Sequence, residues 1–106
     1  MKAIKYQAKK IEDELKDADE YIDKALEVKD SDPESAAMYY ELSLDELKHS
    51  DKIHADVVRH INEYKQKVVE IPKDVEAMMS FYNFMHERHM ADAMQIKVKQ
   101  SMYKAE

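Results

Sequence analysis

Apolar residues recur every three or four positions along the first third of the chain. They are Ile4, Ala8, Ile11, Leu15, Ala18, Ile22, Ala25 and Leu26. This spacing places them on one side of an α-helix, because a helix turns once in 3.6 residues. The pattern therefore predicts a first helix over residues 2–29 that buries one stripe along its whole length.

Two breaks divide the rest of the chain into further helices. At the first break Asp32 precedes Pro33, an order typical of a helix start. The second break lies at Ile71-Pro72, because proline disfavours helical conformation at the residue before it. We therefore predict a second helix over residues 33–69 and a third over residues 73–104. Short connections favour antiparallel neighbours, so the predicted fold is all-α: one domain over residues 1–106, an up-down-up three-helix antiparallel bundle.

The second and third helices also carry apolar stripes. In the second helix the stripe consists of Tyr39, Tyr40, Leu47, Val57, Val58, Ile61 and Val68. In the third helix it consists of Val75, Met78, Tyr82, Met85, Ala93, Ile96 and Tyr103. Both helices are longer than the first, so their ends need cover, and we expect a homodimer or a higher homo-oligomer. Three further methionines of the third helix, Met79, Met90 and Met94, are expected to line an oligomer or partner interface.

The composition excludes several classes of function. The 106 residues include no glycine, which Walker loops, dinucleotide-binding turns and nucleophile elbows need, and no cysteine for disulfides or thiolate metal sites. A net charge of -6 argues against nucleic-acid binding. No apolar run approaches the ~20 residues that span a bilayer, and we see no signal-peptide apolar region, so we expect a cytoplasmic protein without membrane contact.

A Glu-x-x-His pair is the main candidate for chemistry. Glu46 and His49 lie one helical turn apart, with Glu46 on the apolar side, where a carboxylate is costly unless it is paired or binds metal. Glu14 and Tyr21 lie at the edge of the stripe of the first helix. Glu14 lies 18 residues before Asp32, and Glu46 and His49 lie 14 and 17 residues after it. In an antiparallel pair the three side chains come level, so one metal ion could contact them all.

The third helix offers further candidate ligands. Counting residues in the same way from the second break, at Ile71-Pro72, places Asp92 nearly level with His49. Asp92 is therefore the best third-helix ligand, and His89 is the second. His89 also comes level with His54. For that pair we expect a hydrogen-bonded core contact, with a second metal site as the alternative.

A structural role for these polar residues competes with metal binding. In that interpretation Glu14 and Glu46 pair with lysines, or with His49 through buried hydrogen bonds. Tyr21 would then pack and donate one hydrogen bond.

The positions Glu14, Tyr21, Glu46 and His49 resemble those of the ferritin-like superfamily, which includes ferritin, rubrerythrin and the short encapsulated ferritins. The stretches YYELSLDELKH, VVRHINEY and SFYNFMHERHM also look like small ferritin-like proteins of bacterial and phage genomes. The resemblance implies iron as the metal, with a ferroxidase or metal-storage role. Zinc or manganese would suit the same ligands.

The chain departs from that family in its third helix. A full ferritin-like site takes a second Glu and a second Glu-x-x-His from four helices, and this chain has three predicted helices and no second Glu-x-x-His. Either Asp92 or His89 completes a reduced site, or two chains share one site, as the short encapsulated ferritins imply. The remaining alternative is a non-enzymatic interaction protein, with a phage genome as one source, that keeps the fold without metal chemistry and binds a partner through its Met-rich third helix.

Overall fold

Three helices make up the computed structural model, which describes residues 2–105. They are α1 (Lys2–Val28), α2 (Pro33–Lys67) and α3 (Lys73–Lys104). The prediction of an all-α chain is confirmed for the described residues, which include no strand. The second helix ends at Lys67, two residues earlier than predicted, because Val68 takes an extended conformation with φ -121° and ψ 143°.

The start of α2 follows from its capping residue. The carboxylate of Asp32 accepts hydrogen bonds from the backbone N–H of Ser35 at 3.1 Å and from its hydroxyl at 2.8 Å. The hydroxyl bond, with the backbone bond second, lowers the pKa of Asp32 below its ordinary value. The cap satisfies a backbone donor that the first turn leaves open, so it marks where the second helix begins.

Cross-helix contacts establish the direction of each helix. Residues near the start of α1 contact residues near the end of α2, so these two helices are antiparallel. Residue numbers increase together along the contacts between α1 and α3, so these two helices are parallel. The contacts are Gln7–Asp56, Ala18–Ser43, Glu12–His89 and Asp19–Lys99. The helices therefore run up, down and up, with α1 between the other two. Helix α3 lies mainly against α1 and touches α2 at few places, in a bundle that measures 59 × 18 × 17 Å.

The core follows the predicted stripe of α1 most closely. Seven of its eight residues are buried, and Leu26 is half-buried. On α2, Leu47 and Val57 are buried, but the prediction was wrong for Val58, which is 39% exposed. Val58 lies one turn beyond His54, on the side of α2 that faces α3, where the two helices contact each other little. Sparse packing at that position explains its exposure.

On α3 the inward face is rotated relative to the prediction. Tyr82 and Ile96 are buried as expected, but so is Met79, which we had expected at an outer interface. Met79 precedes Tyr82 by three residues and therefore shares its face. Asp92, predicted to be the best third-helix ligand, is exposed.

A short chain of hydrogen bonds joins all three helices in the core. The hydroxyl of Ser43 donates to the carbonyl oxygen of Ala18 at 2.7 Å, and the side-chain amide of Gln100 donates to the Ser43 oxygen at 3.0 Å. Ser43 and Ala18 are fully buried, and Gln100 is nearly so. Because an alanine side chain takes little room, α1 and α2 can approach closely at this level. Ser43 thus fixes the distance and the register between α1 and α2.

None of the helices in the described part of the chain is long and apolar enough to cross a membrane.

The Ser43→Ala substitution tests this packing. We expect it to lower the free energy of unfolding by about 1–2 kcal/mol, because the Gln100 amide then stays buried without an acceptor. Chemical denaturation measures the change. Ser80→Ala, at an exposed position of α3, is the matched control and should change stability by less than about 0.5 kcal/mol. Equal effects of the two substitutions would contradict the proposed role of Ser43.

Candidate metal centre

Glu14, Glu46 and His49 form one group at the contact between α1 and α2, which we call the carboxylate–histidine cluster. One ligand atom from each residue lies within 4.8 Å of the other two. His49 Nδ1 lies 3.6 Å from Glu14 Oε2 and 3.8 Å from Glu46 Oε2. The side chains of Glu14 and Glu46 are 22% and 17% exposed, and that of His49 is 52% exposed. The structure therefore brings together the three residues that the sequence singled out.

The core seam between α1 and α2 places these side chains. Glu14 lies four residues before Ala18 on α1, and Glu46 lies three residues after Ser43 on α2. The hydrogen bond between Ser43 and Ala18 is therefore one helical turn away from the cluster on both helices. Glu46 and His49, three residues apart, share a face of α2, so their ligand atoms lie close together.

Aromatic and polar layers flank the cluster along the groove between α1 and α2. On one side the ring of Tyr21 stacks on Tyr39, with centroids 6.3 Å apart and an angle of 23° between the ring planes. On the other side Gln7 binds Asp56 at 2.8 Å and His60 at 3.2 Å. The cluster thus lies between an aromatic and a polar contact of α1 with α2, and His49 is its most exposed member.

The contacts of the two glutamates match the structural interpretation only in part, because both carboxylates lie within ion-pair distance of His49 but form no hydrogen bond with it. Within residues 2–105 neither Glu14 nor Glu46 forms an ion pair with a lysine or arginine. Their separations from His49 Nδ1 are longer than a hydrogen bond. Two carboxylates thus face one imidazole without a hydrogen bond. A divalent cation, which carries two positive charges, would neutralise both.

The two third-helix candidates lie apart from this cluster. His89 lies beside Glu12, with 3.7 Å between His89 Nε2 and Glu12 Oε1. Asp92 lines a surface groove between α1 and α3 together with Glu12 and Arg88. Glu12 precedes Glu14 by two residues, which is a rotation of about 200° around α1. The side of α1 that meets α3 is thus nearly opposite the side that carries Glu14.

Three histidines line a second, separate place in the bundle. A 2.6 Å hydrogen bond joins His54 Nδ1 to the hydroxyl of Tyr82, and the His54 ring stacks on that of His86 with centroids 3.9 Å apart. Both ring nitrogens of His89 are buried without a hydrogen-bond partner in the described part of the chain. The expectation of a hydrogen-bonded His54–His89 pair was therefore wrong: Tyr82, whose hydroxyl reaches across from α3, is the partner of His54.

Burial dominates the electrostatics at these histidines. It lowers the pKa of His54, with His86 adding to the effect and Asp51 opposing it. It also lowers the pKa of His89, against the opposing influence of Glu12. For both rings burial therefore favours the neutral form. Burial raises the pKa of Tyr82 to about 12, so its hydroxyl stays protonated.

Comparison of the chain with protein-family models, with curated proteins and with solved structures found no match.

The metal-free protein offers a direct test of the structural interpretation. In the presence of a chelator we expect Glu46→Gln to leave the free energy of unfolding unchanged or to raise it by up to about 0.5 kcal/mol, because it removes one of two neighbouring negative charges at a partly exposed site. Chemical denaturation at neutral pH, beside Glu41→Gln at an exposed position of α2, measures this effect. A loss of more than about 1 kcal/mol confined to Glu46→Gln would identify a structural ion pair.

Proposed function

We propose that this chain binds one divalent transition-metal ion at the carboxylate–histidine cluster. The observation that supports this proposal most strongly is the approach of two carboxylates and one imidazole to within 4.8 Å, with no ion pair to a lysine or arginine among the described residues. Carboxylate oxygen and imidazole nitrogen are ligands that Fe²⁺, Mn²⁺ and Zn²⁺ accept in proteins. Three protein ligands leave coordination positions open, which is typical of reactive rather than purely structural metal sites.

Iron is the metal that the ferritin-like resemblance favours. Glu14, Glu46 and His49 would hold the ion, and Tyr21 lies two helical turns along α1 from Glu14. A bound ferrous ion would supply electron-transfer chemistry, as a ferroxidase or metal-storage role requires. The contribution of the chain itself is to hold two negative charges at the groove and to keep one edge of His49 open to solvent.

The position of the cluster favours a site shared between two chains over completion by α3. Glu14 faces away from the side of α1 that meets α3, so Asp92 and His89 would have to cross the bundle to reach it. A second copy that packs against the exposed edge of the α1–α2 groove could bring its own Glu14, Glu46 and His49 to the same place. Two such half-sites would supply two Glu and two Glu-x-x-His sequences in all.

Ferrous iron binding under anaerobic conditions tests the proposal. We expect saturable binding by the wild type and its loss in Glu46→Gln, because that substitution removes an anionic ligand but keeps the size of the side chain. The matched control is Asp45→Asn, the adjacent, exposed carboxylate, which should bind as the wild type does. One ion per chain would indicate a complete site in each chain, and one ion per two chains a shared site.

The result that contradicts the proposal is equally definite. Absence of binding by the folded wild type, or equal binding by wild type and Glu46→Gln, would exclude the cluster as a metal centre. Circular dichroism on each variant shows that the helices are intact.

A second candidate function rests on the outer face of α3, which we define as Phe84, Met90, Met94, Val98 and Met102. Each of these side chains is at least 54% exposed. At 100° per residue they lie within about 120° around the helix. Exposed apolar surface of this kind usually marks a contact with another protein, and methionine adapts to varied partners. This face supports the alternative proposal of a helical interaction protein, with a second copy of the chain as one partner.

A further inference from the structure

Three histidines between α2 and α3 line a small pocket that is partly open to solvent. The cavity measures about 60 Å³ and is separate from the carboxylate–histidine cluster. It is lined by Ile11, Leu15, Ser50, Asp51, His54, His86, His89, Met90 and Ala93. We call it the histidine cavity. Since about 10–15 Å³ of such volume holds one water molecule, the pocket has room for a single ion with a few waters.

The clearest sign of a missing ligand in this cavity is His89. Its side chain is 6% exposed, and neither ring nitrogen has a hydrogen-bond partner in the described part of the chain. A buried polar group without a partner destabilises the folded chain, so such groups are rare without a functional reason. Glu12 approaches to 3.7 Å but does not form a hydrogen bond.

The hydrogen bond of His54 prepares its ring to bind a metal. Nδ1 of His54 pairs with the hydroxyl of Tyr82, which leaves Nε2 free of that contact. Metal-binding histidines usually donate their other ring N–H to a neighbouring oxygen, which fixes the tautomer and the ring orientation. Tyr82 can serve as that oxygen, because burial keeps its hydroxyl neutral.

The charges around the cavity favour a cation over an anion. Asp51 lines it from α2, Glu12 lies beside His89 from α1, and Asp92 influences His89 from its own helix. Among the described residues, no lysine or arginine lines the cavity. The sequence pattern agrees, with Asp51 and His54 three residues apart on α2 and His86 and His89 three residues apart on α3.

We propose that His54, His86 and His89, with Asp51 at the rim, form a second metal site for a divalent ion that prefers imidazole, of the zinc, nickel or copper class. In the described structure His54 and His86 are stacked with 1° between their planes. Their in-plane lone pairs therefore run parallel, and a rotation of at least one ring would turn them towards one ion. The bound ion would link α2 to α3, two helices that otherwise share few contacts. This second site lies beyond the proposed function and does not depend on it.

The test first removes the carboxylate–histidine cluster as a competing site. The double variant Glu14→Gln/Glu46→Gln serves as the background, and Zn²⁺ binding is measured by isothermal titration calorimetry. We expect saturable binding of one Zn²⁺ per chain in this background. Adding His89→Gln should abolish it, whereas adding His60→Gln, a histidine that contacts Gln7 and Asp56 instead, should leave it unchanged.

A second, more conservative variant keeps the proposal testable if the protein with His89→Gln does not fold. Adding Tyr82→Phe to the same background keeps the aromatic ring and removes the oxygen that orients His54. We expect about a tenfold weaker affinity for Zn²⁺, the usual size of such an effect. Two results would overturn the proposal: no saturable Zn²⁺ binding in the background variant, or binding that His89→Gln and Tyr82→Phe both leave unchanged. Either would identify the cavity as a site for water alone. Neither result bears on ferrous iron binding at Glu46, so the two proposals can fail separately.

Discussion

The close packing of α1 against α2 is the constraint on which the rest of the structure depends. Small side chains on α1 let the helices approach, and the hydrogen bond from Ser43 to the carbonyl of Ala18 fixes their register. That register brings Glu14 level with Glu46 and His49. A slip of one turn on either helix would move the carboxylates about 5.4 Å apart along the bundle axis. The chemistry proposed for this chain therefore depends on a contact between two uncharged core residues.

The position of α1 between the other two helices separates the molecule into two sides. On one side α1 and α2 hold the carboxylate–histidine cluster, with oxygen ligands and a solvent-exposed edge at His49. On the other side α3 covers the half-buried His54 and the buried His89, and burial lowers the pKa of both rings. Oxygen-rich and nitrogen-rich sites prefer different metals. The two sites that we propose would therefore differ in their ligand atoms and in their exposure.

Much of this architecture could be predicted from the sequence, and the exceptions have physical reasons. The period of Ile4, Ala8 and Ile11 predicted the buried stripe of α1, since a helix packed on both sides has a strong pattern. The pattern of α3 is weaker because α3 is apolar on its outer face too, and the inward position of Met79 was missed there. Counting residues from the turn at Asp32 predicted that Glu14, Glu46 and His49 lie at the same level of the bundle, and the structure places them together. Such counting could not show around which side of α1 the third helix lies, and so it placed Asp92 near them.

Metal binding at the carboxylate–histidine cluster is the central claim, and paramagnetic broadening by Mn²⁺ tests its position most directly. Amide signals of the isotope-labelled protein would be followed by nuclear magnetic resonance as Mn²⁺ is added below one equivalent. The account predicts that signals around Glu14 and His49 broaden first, while those around Asp74 and Glu76 at the start of α3 stay sharp. Broadening that is strongest around other exposed carboxylates, such as Asp19 and Asp23, or that is uniform over the acidic surface, would contradict it.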